Sequence, residues 1–209
     1  MKQVKICGLN DAAGYDAAQQ AGADYIGFVF YPPSPRAVTP VQAAALAARG
    51  GAARRVGLLV DAGDDEIATI LAAVPLDVLQ LHGAETPARA AQLRQRFGLP
   101  VMKALGIAEA ADLAQLADYA PVVDMFLLDA KPPPGATLPG GNAASFDWGL
   151  LAGQAISRPW LLAGGLTPDN VAEAIARSGA PGVDVPSGVE RARGVKDPQR
   201  IHAFIKAVR

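Results

Sequence analysis

Eight short apolar runs, separated by Ala- and Leu-rich segments, constrain the fold of this chain more than any other feature. Each run is almost continuously hydrophobic, which is typical of a strand buried on both faces of a parallel sheet. The segments between the runs have a helical period, as crossover helices do. The pattern therefore predicts an α/β fold, a parallel eight-stranded (β/α)8 TIM barrel. The predicted strands are Val4 to Cys7, Tyr25 to Phe30, Val56 to Val60, Val78 to Leu81, Val101 to Ala104, Met125 to Asp129, Trp160 to Ala163 and Gly182 to Val185.

The length of the chain fits one such barrel with little decoration. The sequence has 209 residues, so each strand and helix unit takes about 25 residues, near the lower end of the barrel range. A chain of this size buries a sizeable core as one domain. We therefore expect residues 1–209 to form a single (β/α)8-barrel domain.

Charge and composition indicate which partners the protein has. The formal net charge is -1, which gives no reason to expect a nucleic acid or an acidic membrane surface as partner. The single cysteine, Cys7, cannot form an internal disulfide, and no apolar run of about 18 residues could span a bilayer. These features predict a soluble, cytoplasmic protein, either a monomer or a homodimer.

Four helix starts are marked by a capping side chain before proline: Thr39-Pro40, Thr86-Pro87, Thr167-Pro168 and Asp197-Pro198. One stretch, residues 131–145, is too rich in proline and glycine for a helix and is long for a loop between a strand and a helix. Its composition leaves two interpretations open, a mobile lid over an active site or an ordinary surface loop.

In a barrel of this kind the active site forms at the carboxyl ends of the strands, so polar residues that close an apolar run are the first candidates. Cys7 closes the first run and Asp129 closes the sixth. Either residue alone has an ordinary structural explanation, a small buried hydrophobe or a loop-bracing carboxylate. Together they place a thiol and a carboxyl group on one rim. An isomerase that transfers protons needs such a pair, one group that takes a proton and another that gives one.

The last two strands predict a phosphate site. Gly164-Gly165 follow the seventh run and Ser187-Gly188 follow the eighth, where backbone N–H groups of barrel enzymes hold a phosphate. Arg36, after the second strand, suits bidentate capture of a carboxylate. His82 is interpreted as a hydrogen-bonded structural residue. Neither a metal-binding spacing nor a glycine-rich nucleotide fingerprint is present, so no metal and no cofactor is expected.

The sequence resembles the phosphoribosylanthranilate isomerase family along essentially its whole length. Seven groups of residues carry the resemblance in the family's order. They are Lys5-Ile6-Cys7-Gly8-Leu9, Gly27-Phe28-Val29-Phe30 with Ser34-Pro35-Arg36, Leu79-Gln80-Leu81-His82-Gly83, Leu127-Leu128-Asp129, Phe146-Asp147-Trp148, Leu162-Ala163-Gly164-Gly165-Leu166, and Gly182-Val183-Asp184-Val185 leading into Ser187-Gly188-Val189-Glu190.

The resemblance implies a small phosphorylated substrate and an Amadori rearrangement in tryptophan biosynthesis. It implies that Asp129 is the general acid, that Cys7 is the general base as a thiolate, and that Arg36 holds the anthranilate carboxylate. It further implies that Asp184 lines the sugar pocket. The phosphate is assigned to Gly164, Gly165, Ser187 and Gly188. Pro186 stands where the family usually has serine, and proline removes one N–H donor from this loop.

Two other functions remain open at this point. One is another phosphate-binding barrel enzyme, such as the tryptophan synthase α-subunit or the aldose isomerase of histidine biosynthesis, both expected to use two carboxylates. The other is a catalytically silent barrel that binds a phosphorylated metabolite as a sensor. The pairing of Cys7 with Asp129 argues against both.

Overall fold

The strands close into a parallel barrel. A computed structural model of the protein describes residues 1–132, 135, 140 and 145–209. Neighbouring strands pair in parallel from the first to the eighth, and the eighth pairs with the first. The predicted barrel is therefore confirmed, with strand ends that differ from the apolar runs by up to three residues. The strands are β1 (Gln3–Cys7), β2 (Tyr25–Val29), β3 (Arg54–Leu59), β4 (Val78–Leu81), β5 (Val101–Ile107), β6 (Met125–Ala130), β7 (Trp160–Leu162) and β8 (Gly182–Val185).

Helices cover the outside of the barrel. They are α1 (Ala12–Gln20), α2 (Pro40–Ala47), α3 (Asp64–Ala73), α4 (Pro87–Phe97), α5 (Gln115–Tyr119), α6 (Val171–Ser178) and α7 (Pro198–Val208). A 3₁₀ helix, Ala110–Ala114, leads into the short α5. Within the part of the chain that the structure describes, every helix is too short or too polar to cross a membrane.

Three of the four predicted helix starts are confirmed. Thr39, Thr86 and Asp197 each accept a hydrogen bond from a backbone N–H in the first turn of the helix that follows. The prediction at Thr167-Pro168 is wrong, because α6 begins at Val171 with Asn170 as its cap. Asn170 Oδ1 accepts a hydrogen bond of 2.7 Å from Thr167 N, which makes residues 167–170 a turn before the helix.

Two features near the carboxyl ends of the strands were not predicted. A 3₁₀ helix, Ser187–Val189, is followed by a hairpin of β9 (Glu190–Ala192) and β10 (Val195–Lys196). Between β6 and β7, the described residues include a 3₁₀ helix, Trp148–Leu151, in place of an α-helix. Most of the candidate lid, residues 131–145, lies outside the described residues, so neither interpretation of it is decided.

The hydrophobic core has two main parts because the strands are apolar on both faces, and a third, small cluster of Cys7, Val29 and Leu58 lies at the pocket. The larger part fills the space between the strands and the helices. The smaller part fills the barrel interior toward its amino-terminal end and includes Tyr25, Val56, Val78 and Met102. Toward the other end of the interior, apolar side chains give way to buried charged residues, which include Lys5 and Asp184. This change in polarity marks where the pocket lies.

Candidate active site

A pocket with a cavity volume of about 50 Å³ lies at the carboxyl ends of the strands. The pocket brings together four predicted site residues, namely Cys7, Arg36, Asp129 and Asp184. The remaining wall consists of Val29, Tyr31, Ser34, Leu58, Val60, His82, Gly140 and Pro186.

Asp129, near the end of β6, has the ionisation behaviour of a general acid. Its side chain is 12% exposed, and Oδ1 accepts a hydrogen bond of 2.8 Å from Ala130 N. Burial, helped by the negative charge of Asp184, raises the pKa of Asp129 to about 7. The Ala130 N–H and Lys5 oppose this shift only in part. A substantial fraction of Asp129 therefore carries a proton near neutral pH.

His82 directly follows β4 and lies close to the Asp129 carboxyl group. Its Nε2 lies 3.7 Å from Asp129 Oδ2, and its Nδ1 lies 2.8 Å from Gln80 Nε2. Burial, with the charges of Lys5 and Lys103, lowers the pKa of His82 to about 3. The ring is therefore neutral near pH 7. A Gln80 amide that donates to Nδ1 would select the tautomer with its proton on Nε2, which faces Asp129. The sequence interpretation of His82 as a hydrogen-bonded residue agrees with its contact to Gln80, and the structure adds that its ring lines the pocket.

Cys7, at the end of β1, is 3% exposed. Burial raises the pKa of its thiol above the ordinary value, although the positive charge of Lys5 opposes the shift. The Lys5 charge thus favours the thiolate that the resemblance implies. Burial outweighs this charge, so the protein surroundings of Cys7 together favour the neutral thiol. A positive charge developing on a bound substrate would act in the same direction as Lys5.

Lys5 is a buried cation that the sequence interpretation quoted but gave no role. It lies two residues before Cys7 and therefore on the same face of β1. Its Nζ makes an ion pair of 2.8 Å with Asp184 Oδ1, and both side chains are almost inaccessible. Burial alone would lower the pKa of Lys5, but Asp184 and Cys7 raise it. Lys5 is therefore charged and contributes a fixed positive potential beneath the pocket.

Arg36 reaches the pocket with part of its guanidinium already bound. Its Nε lies 2.6 Å from Glu190 Oε1 and its Nη2 lies 3.0 Å from Glu190 Oε2. Both side chains are 5% exposed. This bidentate pair leaves the Nη1 edge as the part of Arg36 that can meet a carboxylate in the pocket. Glu190 was part of the family resemblance but carried no predicted role.

The four residues predicted to bind phosphate lie in the loops that follow β7 and β8. Gly164 and Gly165 have φ angles of 89° and 64°, which only glycine adopts readily. A Cβ on Gly188 would overlap the carbonyl oxygen of Leu166, so the two loops touch. None of the four N–H groups donates a hydrogen bond to another described residue. They are thus available to an oxyanion.

Gly140, from the candidate lid, lies beside His82 and Asp129. A Cβ on Gly140 would overlap His82 Nε2 and would lie 3.1 Å from Asp129 Oδ2. A side chain at residue 140 would therefore force the His82 ring to move. This described residue of the candidate lid thus lines the pocket.

Comparisons with known proteins agree on one family. The model of the N-(5'-phosphoribosyl)anthranilate isomerase family matches residues 4–207. The chain is similar to enzymes of that name from Paracoccus denitrificans, with 63% identity over 97% of this chain and 94% of the relative, and from Rhodospirillum rubrum, with 58% identity over 99% and 97%.

Solved structures give the same result. The crystal structure of phosphoribosylanthranilate isomerase from Thermotoga maritima matches with a TM-score of 0.88 and 35% identity, covering 99% of this chain and 98% of that one. A complex of such an isomerase with reduced 1-(o-carboxyphenylamino)-1-deoxyribulose 5-phosphate matches with a TM-score of 0.86 and 33% identity, over the same shares of the two chains.

Proposed function

The chain belongs to the N-(5'-phosphoribosyl)anthranilate isomerase family, and on that premise we propose that Asp129 and Cys7 are its catalytic acid and base. The enzyme converts N-(5-phosphoribosyl)anthranilate, an aldose derivative, into 1-(2-carboxyphenylamino)-1-deoxyribulose 5-phosphate, a ketose, in tryptophan biosynthesis. The observation that carries the assignment is the buried, partly protonated Asp129 carboxyl group in the same pocket as the only thiol.

The first step is ring opening by Asp129. Its carboxyl group donates a proton to the furanose ring oxygen, and the bond between that oxygen and C1 breaks. The electron pair on the anthranilate nitrogen forms the C1–N double bond of a protonated Schiff base. A carboxyl group with a pKa of about 7 is well matched to this proton transfer near neutral pH.

The second step is proton abstraction by Cys7. Its thiolate takes the proton from C2, and the C–H electron pair becomes the double bond of an enolamine as the iminium charge is neutralised. Tautomerisation to the ketone completes the reaction. The positive charges of the Schiff base and of Lys5 both stabilise the thiolate, which offsets the cost of burying it.

The two ends of the substrate are held by different kinds of donor. Arg36 binds the anthranilate carboxylate through its Nη1 edge, and Asp184, fixed by Lys5, lines the sugar pocket between the ends. The phosphate is held by N–H groups of Gly164, Gly165, Ser187 and Gly188. Pro186 has no N–H, so the loop after β8 offers one donor fewer than a serine there would give.

We further propose that residues 1–209 act as a single domain in the cytoplasm, as a monomer or a homodimer. The closed barrel from β1 to β8 supports one domain. A structural relative from Thermotoga maritima is described as monomers of a dimeric phosphoribosylanthranilate isomerase. Both states are thus compatible with a barrel of this kind.

Substrate turnover by purified variants tests the catalytic assignment. The fluorescence of freshly generated phosphoribosylanthranilate is followed with wild-type protein, Cys7→Ala and Asp129→Ala. We expect rapid loss of the signal with the wild type and collapse of the rate with both variants. Cys7→Ser is the complementary variant, because an enzyme that used two carboxylates would barely respond to it. Full activity of Cys7→Ala would remove the thiol from the mechanism while leaving the reaction itself in place.

A further inference from the structure

Glu190 is a buried carboxylate that the reaction steps above do not use. It is the first residue of the β9–β10 hairpin and is 8% exposed. Its Oε1 accepts from Arg36 Nε at 2.6 Å and from Lys196 Nζ at 2.9 Å. Its Oε2 accepts from Arg36 Nη2 and from Gly194 N, both at 3.0 Å. Each oxygen is thus shared by one bond to Arg36 and one bond to the hairpin.

The hairpin also fits closely against the loop that carries Arg36. Gly194 has a φ of 80°, and a Cβ there would overlap the carbonyl oxygen of Pro35, the residue before Arg36. Asn10 Nδ2 donates to Gly194 O at 3.0 Å. The turn between β9 and β10 therefore packs against the loop that carries Arg36.

Lys196 is the second cation that binds Glu190, although burial lowers the pKa of its ammonium group. Arg36 and Lys196 share the single carboxylate of Glu190, so the three side chains carry one net positive charge when all are ionised. Lys196 Nζ also donates to Pro186 O at 2.5 Å, beside the loop after β8. In that charge state, an anion entering the pocket meets a cation that is fixed in place but not fully neutralised.

We propose that Glu190 is a positioning residue for substrate recognition, which holds the Arg36 guanidinium with its Nη1 edge toward the carboxylate of the anthranilate ring. The inference rests on the role proposed above for Arg36. A free arginine side chain samples many rotamers, and holding it by two parallel hydrogen bonds removes that freedom before the ligand arrives. Glu190 therefore acts on binding through Arg36 and touches no reacting atom.

An amide at residue 190 cannot replace the carboxylate. Four donors converge on its two oxygens, so an amide NH₂ group in either orientation would face two donors. Glu190→Gln consequently breaks the bidentate pair and frees Arg36. Glu190→Asp keeps the charge but shortens the side chain by one methylene, so it should displace Arg36 less.

Two ligands separate this role from a general effect on the fold. The first is reduced 1-(o-carboxyphenylamino)-1-deoxyribulose 5-phosphate, and the second is the same compound with an unsubstituted phenyl ring. Their dissociation constants are measured by calorimetry for the wild type, Arg36→Gln, Glu190→Gln and Glu190→Asp. Asp16→Asn, which breaks the exposed Asp16–Arg49 pair, is the matched control.

We expect Glu190→Gln to weaken the carboxylated ligand about tenfold and to leave the phenyl ligand within about twofold. Glu190→Asp should give a smaller loss with the same selectivity, which provides the test if Glu190→Gln does not fold. Equal loss for both ligands, no loss, or tighter binding of the carboxylated ligand would overturn the positioning role. If Arg36→Gln weakens only the carboxylated ligand while the Glu190 variants give one of those results, the role of Arg36 stands and that of Glu190 does not. If Arg36→Gln weakens both ligands equally, the proposed roles of Arg36 and Glu190 are both wrong.

Discussion

Asp124 and Asp129 stand at opposite ends of strand β6, and their surroundings differ. Asp124, just before the strand, accepts a hydrogen bond of 2.9 Å from Val101 N and pairs with Arg94 at 2.8 Å. Asp129, near the carboxyl end, accepts a single bond, from Ala130 N, within the described residues and has a pKa raised to about 7. The first carboxylate is matched by donors and partly solvated. The second is buried without a cation bound directly to it.

The amino-terminal arrangement recurs around the barrel. Asp24 accepts from Val4 N at 2.8 Å, and Asp77 accepts from Arg55 N at 2.7 Å. Each of these aspartates precedes an even-numbered strand and caps the start of the preceding strand. At the amino-terminal end of the barrel these three aspartates thus satisfy the N–H groups of neighbouring strands. Asp129 differs from them because its one described hydrogen bond comes from the residue that follows it.

The largest expected effect is on turnover by Asp129→Asn. An amide cannot give up the proton that opens the ring, so we expect kcat to fall by about 10³-fold or more. Asp124→Asn at the other end of the strand is the matched control and should keep kcat within about twofold. Steady-state kinetics on both variants checks this contrast. A similar loss in both would mean that β6 transmits a structural defect.

The next largest effect is on the pH dependence of kcat/KM. The active form needs Asp129 protonated and Cys7 ionised, although the pKa of the thiol is raised and that of the carboxyl is about 7. We expect kcat/KM to rise about tenfold per pH unit below pH 7, level off above it, and fall where the thiol titrates. Alkylation of Cys7 by iodoacetamide should titrate above the ordinary thiol pKa. Alkylation that titrates near pH 7 instead would assign the lower limb to the thiol.

A smaller effect is expected on stability, and its size depends on pH. The folded pKa of Asp129 lies above the ordinary 3.8, so its contribution to stability is present below about pH 4 and is lost as pH rises through 7. Asn cannot ionise, so Asp129→Asn should raise the free energy of unfolding at pH 8 by about 2 kcal/mol or more. Urea titrations at pH 8 and pH 4 measure the difference. A gain that is equal at both pH values would contradict the ionisation argument.

The smallest effect is expected from Asp124→Ala. This variant leaves the buried N–H of Val101, a residue with 0% exposure, without its acceptor. We expect a loss of about 1–2 kcal/mol in the free energy of unfolding. Asp16→Ala, at an exposed ion pair, serves as control and should cost under about 1 kcal/mol. Urea titrations that give equal losses would show that Asp124 contributes only a surface charge.

The sequence was most informative where the signal is local. Continuous apolar runs gave all eight strands, and Thr39, Thr86 and Asp197 marked their helices because a cap and its N–H donors lie within three residues. Thr167 did not mark a helix start, because Asn170 Oδ1 accepts from Thr167 N and residues 167–170 form a turn before α6. The loop that contains this turn packs against Gly188, which follows β8, and such a contact between two loops has no local sequence signal.

The candidate site was predicted as a set of residues but not as a set of contacts. Cys7, Arg36, Asp129 and Asp184 follow from their places at strand ends, and the structure brings all four to one pocket. The sequence interpretation gave Lys5 no role, because a single lysine in an apolar strand does not indicate a buried ion pair. Its partner, Asp184, is 179 residues away.

The sequence by itself determined the order of the strands and the residues that stand on the catalytic rim, because hydrophobic period and capping act over a few neighbouring residues. Tertiary structure alone decided how each rim residue behaves. Arg36 is held by Glu190, 154 residues away, and Asp129 faces His82 from another strand. Burial and charge at those distances set the pKa values, since the free energy of an ionised group depends on what surrounds it in space.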